Sequence, residues 1–196
     1  MSWNFFLYFS IFVALLIYIR KKYKWILVFS VIMALVCIGI HIFKPEIHHI
    51  IMVPALQSPW FVPHVMVYML AYAILGVAAV TAIYLLFFRK RDILNREVEL
   101  CDNLIYTGVA FLTLGMLFGA FWAKEAWGHY WSWDPKERWA AATWLAYLVY
   151  IHFRLQEPAK YRTALTLMLL AFLALQICWY GINWLPTAGN SIHTYY

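Results

Sequence analysis

The chain has 196 residues, 65% of them hydrophobic and 12% charged, with a mean hydropathy of +0.71. Globular domains run at roughly 45–50% apolar, and a soluble domain of this length has too little interior to hide such an excess. Fifteen Lys and Arg against nine Asp and Glu give a net charge of +6, but the charges cluster between long uncharged runs, which excludes disorder and argues against nucleic acid as a partner.

Measured against the roughly 20 residues that cross ~30 Å of hydrocarbon, the apolar runs predict six membrane helices, at about 3–19, 25–43, 65–88, 104–123, 135–153 and 163–184. No segment alternates as a barrel strand would, so the fold class is all-α, a polytopic helical bundle. The opening Met1-Ser2-Trp3-Asn4 lacks a basic n-region and a small-residue cleavage site, so it reads as a retained first span. Cations fall in alternate loops: four in 20–24, four in 89–103 and three in 154–162, leaving only Lys44, Lys124, Lys136 and Arg138 on the other side. The positive-inside rule makes the first set cytoplasmic and puts both termini outside. In a bacterium this is the cytoplasmic membrane, with the long segments 44–64, 124–135 and 186–196 on its outer face. The whole chain then reads as one integral-membrane domain, and function is expected on that face.

Cys37, Cys101 and Cys178 form no Cys-x-x-Cys pair and no Cys-x-x-Cys-His, so disulfide, zinc and covalent c-type haem sites are unsupported, and each reads as a small apolar residue. Glu97, Glu99 and Asp102 read as part of a solvated inner loop or short surface helix, and there is no Gly-rich phosphate loop. Gly115, Gly119 and Ala123 form a small-x-x-x-small stripe that predicts close helix packing.

Eleven Trp are more than spanning lipid requires, and five of them lie in 122–139. Asp134 before Pro135, with Glu137 three residues on, is a helix start: a capping carboxylate, Pro in the first turn, an acid at N3. Trp122 and Trp139 suit an interfacial belt. Trp127, Trp131 and Trp133 lie in the loop itself; an extended Trp131-Ser132-Trp133 puts two indoles on one face. Such a shelf fits either a large flat apolar ligand or an apolar skirt on the membrane.

Histidines favour the ligand. Five of the seven lie in the outer segments, His64 opening the third span and His193 in the tail. Two outer His bracketing a Trp-rich shelf fit axial ligation of haem iron. His152 lies 17 residues beyond Pro135, ~25 Å down the fifth helix, near the cytoplasmic boundary, where a snorkelling residue and a second ligand site are the alternatives.

Trp127-Gly128-x-Tyr130-Trp131-Ser132-Trp133-Asp134-Pro135-Lys136-Glu137 resembles the tryptophan-rich WWD signature of haem-handling proteins of cytochrome c maturation. Within that superfamily the chain resembles the CcsA/ResC branch more than the CcmC branch: Ala55-Leu56-Gln57-Ser58-Pro59-Trp60 leads to His64, His152 is followed by Arg154, and the tail runs from Gly181-Ile182-Asn183-Trp184 to Ile192-His193-Thr194-Tyr195. The resemblance implies that His64 and His193 are the axial ligands of haem b at the outer surface. Trp127, Trp131, Trp133 and Asp134 would hold the porphyrin, and His152 would be one ligand of an inner site. It further implies a subunit of a System II holocytochrome c synthase (haem lyase), working with a ResB/CcsB-like membrane protein that supplies the other inner ligand. Haem would be joined through its vinyl groups to the Cys-x-x-Cys-His thiols of apocytochrome c. His129 would neighbour the haem propionates, with Lys124 and Arg138 as their charge partners. Six spans are fewer than this branch usually has, which leaves CcmC-like delivery to a periplasmic haem chaperone as the alternative. A b-type electron-transfer subunit or an inert scaffold ranks lower, because most of the His lie outside the spans.

Overall fold

A computed structural model describes residues 54–88 and 95–180 of the chain. A 3-10 turn at Pro54–Gln57 precedes helices α1 (Phe61–Phe87), α2 (Asn95–Trp127), α3 (Pro135–Gln156) and α4 (Tyr161–Trp179), and no strand occurs among the described residues. The all-α expectation holds. The third to sixth predicted spans correspond to these helices; the first two predicted spans, His41, His48, His49 and the tail with His193 lie outside the described residues. Contacts divide the chain into two compact units, Met1–Gln57 and Ser58–Tyr196, and the four helices belong to the second.

Three helices, α1, α2 and α4, are long and apolar enough to cross a membrane, and the protein is a membrane protein. α3 has the length, but Lys136, Glu137 and Arg138 crowd its first turn and His152 and Arg154 its last. The surface is built for an apolar solvent: Leu114, Leu117, Leu145, Val149, Leu170 and Leu173 are all exposed, while Ala71, Ala78, Ala79 and Ala82 of α1 are buried. Ala71, Leu75, Ala78 and Ala82 recur at three- and four-residue steps on α1 and meet Cys101, Ile105, Val109 and Leu112 of α2 in one core with Tyr147, Tyr150, Leu165, Met168 and Ala171. α1 packs chiefly on α2 and α3 on α4, and α1–α4 and α2–α3 contacts close the ring. This is the arrangement of a four-helix bundle with short connections.

Glycines set the register of α1 on α2. A Cβ at Gly108 would lie 2.6 Å from the Leu75 side chain, one at Gly115 2.9 Å from Tyr68, and one at Gly119 2.7 Å from His64. Steps of seven and four up α2 match the same steps down α1, as antiparallel helices require. Gly115 and Gly119 of the small-residue stripe therefore do bring the helices together, and what they seat is two rings, while Gly108, outside the stripe, seats a leucine. The lead-in to α1 is tied to the same partner: the Ser58 hydroxyl donates to Glu125 (2.6 Å) and accepts from Trp60 N–H, while the Trp60 ring packs on Phe118 and Phe121.

At the inner end the sequence expectation is corrected. Glu97, Glu99 and Asp102 lie in the first turns of α2, because helix formation continues through charged residues that hydropathy does not count. Asp102 turns inward. Its carboxylate takes both oxygens to Arg154 Nε (3.1 Å) and accepts the Tyr150 hydroxyl at 2.5 Å. Arg154 also donates to the Pro158 carbonyl, fixing the turn into α4. The two side chains are only 13–14% exposed, against 46–59% for the Lys160–Glu157 pair nearby. An exposed pair contributes under about 1 kcal/mol, but removing one partner of a buried pair leaves a charge without compensation at a cost of about 3 kcal/mol. Asp102→Ala is expected to destabilise the bundle by about that amount, and Lys160→Ala to leave it nearly unchanged. Reversible unfolding in mixed micelles, followed by helical circular dichroism, measures both.

Candidate functional site

α2 ends where Gly128 adopts φ +87°, with its N–H on the Lys124 carbonyl, and the Lys124 ammonium returns to the Gly128 carbonyl at 2.8 Å. A left-handed residue at the helix C-terminus is a glycine position. Lys124 also sits 5.5 Å above the Tyr130 ring, so this cation is used in ending the helix. His129 and Arg138 are exposed.

Asp134 is the N-cap of α3, as expected: its carboxylate accepts from Lys136 N–H, and the full capping box with Glu137 is present. Glu137 does more than the box requires. Its Oε2 accepts from the Asp134 N–H (3.1 Å), the Ser132 N–H (2.8 Å) and the Ser132 hydroxyl (3.2 Å). One buried carboxylate therefore grips the chain on both sides of Trp133, and Trp133 has φ +59°. A bulky residue there costs about 1–3 kcal/mol, and the clamp is what holds it.

That backbone corrects the shelf. The chain is not extended at Trp133, and the Trp131 and Trp133 rings meet edge to face, 5.7 Å apart at 87°. Trp133 is 67% exposed while Trp131 turns inward. The pair makes a corner, one indole displayed and the other walling a cavity.

That cavity, of about 230 Å³, lies between α1, α2, α3 and α4. His64 and Trp131 both line it, with Tyr68, Trp122, Lys136, Thr143, Cys178 and Trp179. His64 Nδ1–H donates to the Gly115 carbonyl at 2.9 Å. A carbonyl only accepts, so Nδ1 carries the proton, and in the neutral tautomer that this bond selects Nε2 carries the lone pair. This is the second-shell bond that metal-binding histidines make. The ring stacks on Trp122 (5.3 Å, 29°) and meets Tyr68 edge-on; Trp122 in turn packs against Phe61 and Trp127.

Of the expected site residues, His64, Trp127, Trp131, Trp133 and Asp134 fall at this end of the bundle. His152 does not: it lies near the far end of α3, exposed, with a ring nitrogen 2.9 Å from Gln156 Nε2. Arg154, two residues on, faces inward to Asp102, so the two point to different sides of the helix. His193 lies outside the described residues. Trp122, expected in the interfacial belt, is 5% exposed and stacked on His64; its place one turn beyond Gly119 on the stripe was the available signal. Thr143 carried no signal at all. Its Oγ1 and Trp131 Nε1 are buried without a hydrogen-bond partner, and both residues line the cavity. Each such atom costs about 1–3 kcal/mol, so this wall is complete only with a polar group against it. Cys101, buried, and Cys178, half-buried, each donate weakly to a helix carbonyl. Among the described residues, no cluster of His, Cys, Asp and Glu is arranged to hold a metal ion.

No solved structure matches the chain. Cytochrome c biogenesis protein CcsA of Chlamydomonas reinhardtii is 38% identical over 74% of this chain and 42% of its own length. The CcsA proteins of Nicotiana tomentosiformis (33% identical, 76% of this chain, 59% of theirs) and Guillardia theta (37%, 74% and 56%) are similar. The chain thus spans roughly two fifths to three fifths of the length of the relatives it matches. The family model described as cytochrome C assembly protein matches residues 2–188, and the chain belongs to that family.

Proposed function

We propose that this protein acts in cytochrome c biogenesis by holding haem, as substrate, at the Trp-rich end of the bundle and presenting it for attachment to apocytochrome c. The observation that carries this reading is His64: an imidazole with its Nδ1–H fixed on a backbone carbonyl, lining a cavity together with Trp131. Haem iron takes a neutral imidazole nitrogen, and the aromatic walls suit the faces of a porphyrin. His193 supplies the second axial ligand, and Trp127 and Trp133 extend the apolar surface. Asp134 acts through the helix start it caps. This end lies on the outer side of a bacterial cytoplasmic membrane, since the inner loops hold most of the cations.

The bond to be made is addition of a thiol S–H across each vinyl double bond, which needs the haem edge accessible and its plane fixed. The chain supplies the plane: His64 sets the iron position, and the Trp131–Trp133 corner limits rotation. A ResB/CcsB-like partner supplies the apocytochrome dock and the second ligand of an inner site at His152, whose exposure on α3 leaves it open to another subunit. The CcsA names of the relatives support this synthase reading over delivery to a haem chaperone.

Co-expression with the partner and a reporter apocytochrome tests the reading. Covalent haem on the reporter is expected with the parent chain and lost with His64→Ala or His193→Ala; unchanged yields in both would overturn it. The loop yields two further outcomes. Glu137→Ala leaves two backbone N–H groups without their acceptor and is expected to cost about 2–3 kcal/mol, read by unfolding in micelles. Trp133→Gly relieves the positive φ while losing the edge contact with Trp131, so stability is expected to stay within about 1 kcal/mol of the parent. Haem occupancy, measured by pyridine haemochrome, is nevertheless expected to fall.

A further inference from the structure

The bond from His64 to α2 depends on a position of α2 that lacks a side chain. The acceptor is the Gly115 carbonyl, whose first lone pair belongs to the helix ladder through the Gly119 N–H; the second is reached by the imidazole from the side. Access to it runs over Gly119. A Cβ there would stand 2.7 Å from His64 Cε1 and 2.8 Å from Nδ1, closer than carbon atoms approach one another, and the atoms it meets belong to a rigid ring. Trp122 covers the ring on one side and Tyr68 meets it edge-on. The ring therefore has no neighbouring position to move into without leaving the carbonyl.

We propose that Gly119 is a positioning residue for His64: by leaving the Gly115 carbonyl uncovered, it fixes the Nδ1–H tautomer and the plane of the ring, and so dictates that Nε2 is the nitrogen offered to iron. The inference rests on the haem reading above and adds to it a residue that touches neither iron nor porphyrin. The consequence is chemical as well as steric. An imidazole that donates Nδ1–H to a carbonyl is a stronger ligand than one that does not, so the seat also strengthens the iron bond.

Glycine packing elsewhere on the same helix provides the control. Gly108 is as crowded, with Leu75 at 2.6 Å, but far from His64, whereas Gly76 on α1 has nothing within 4 Å. The full chain is co-purified with its partner and haem as Gly119→Ala, Gly108→Ala, Gly76→Ala and His64→Gly, and the folded, monodisperse fraction is examined for haem occupancy, absorption spectrum and reduction potential. For Gly119→Ala we expect roughly 10- to 100-fold weaker haem binding, loss of the low-spin bis-imidazole spectrum, a more positive potential in the haem that remains, and partial rescue by added imidazole, as in His64→Gly. Gly108→Ala is expected to lower stability with its spectrum unchanged, and Gly76→Ala to change neither.

A wild-type spectrum and occupancy in folded Gly119→Ala would overturn the inference, as would an equal loss in Gly108→Ala. If His64→Gly itself keeps the parent spectrum, the haem reading of His64 falls and this inference with it, so the two failures are distinguishable. Should Gly119→Ala fold poorly, a stability cycle decides: its penalty is expected to vanish in the His64→Gly background, where no ring meets the new Cβ, and a penalty that persists there would overturn the proposal.

Discussion

The imidazole of His64 lies where a side chain at position 119 would be, and the outer half of the bundle follows from that one exclusion. Because the ring occupies the groove of α2, α1 and α2 can approach only in the register that places Gly119 under His64, Gly115 under Tyr68 and Gly108 under Leu75. The same register brings Trp122 over the ring and Phe61 against Trp122. In lipid there is little hydrophobic force to hold helices together, so close fit and hydrogen bonds must do so. One side-chain bond at 2.9 Å then joins the helices and fixes the plane of the imidazole, as the proposed haem ligation requires.

The loop after α2 is shaped by a second, independent constraint. Gly128 stops α2 and Asp134 starts α3 within seven residues, and the chain between them must turn without leaving its N–H groups unpaired. Glu137 meets that demand from below with a single oxygen, taking the N–H groups of both residues 132 and 134. The residue between them is forced into the left-handed region, and it is a tryptophan rather than a glycine. A glycine would make the same turn at lower cost, so the indole is retained for what it does outside, while its neighbour Trp131 closes the cavity inside.

The helices were legible in the sequence because hydropathy runs, a capping box and a helix-stopping glycine each act locally. α3 begins at Pro135 as the Asp134-Pro135-x-Glu137 pattern requires. Where charge is the signal, the reading stops short: α2 extends well before the apolar run begins, and Asp102, read as solvated, is bound by Arg154 and Tyr150 from α3. Nothing in the spacing of residues 102, 150 and 154 announces that tertiary contact. The site was legible in part for the same reason. His64 and Trp131 stood out by type, but Trp122 and Thr143 belong to it only through helix packing. The flat shelf expected from alternating indoles failed because a carboxylate five residues from Ser132 overrides the extended backbone that alternation presumes.

Buried polarity is handled differently around Asp102 and along the cavity. At the inner end Asp102, Tyr150 and Arg154 satisfy one another and reach the Pro158 carbonyl, which locks α2, α3 and the turn into α4. On the same face of α3, Tyr147 and Thr143 are buried with no partner, and Trp131 Nε1 joins them at the cavity. If the unpaired groups were distributed at random they would be plain losses of about 1–3 kcal/mol each. Among the described residues, two of the three line the cavity, beside the bonds of His64 and Glu137 that tie that end together. Under the proposed haem reading, Thr143 Oγ1 and Trp131 Nε1 are the polar atoms that a bound molecule would meet in the cavity wall.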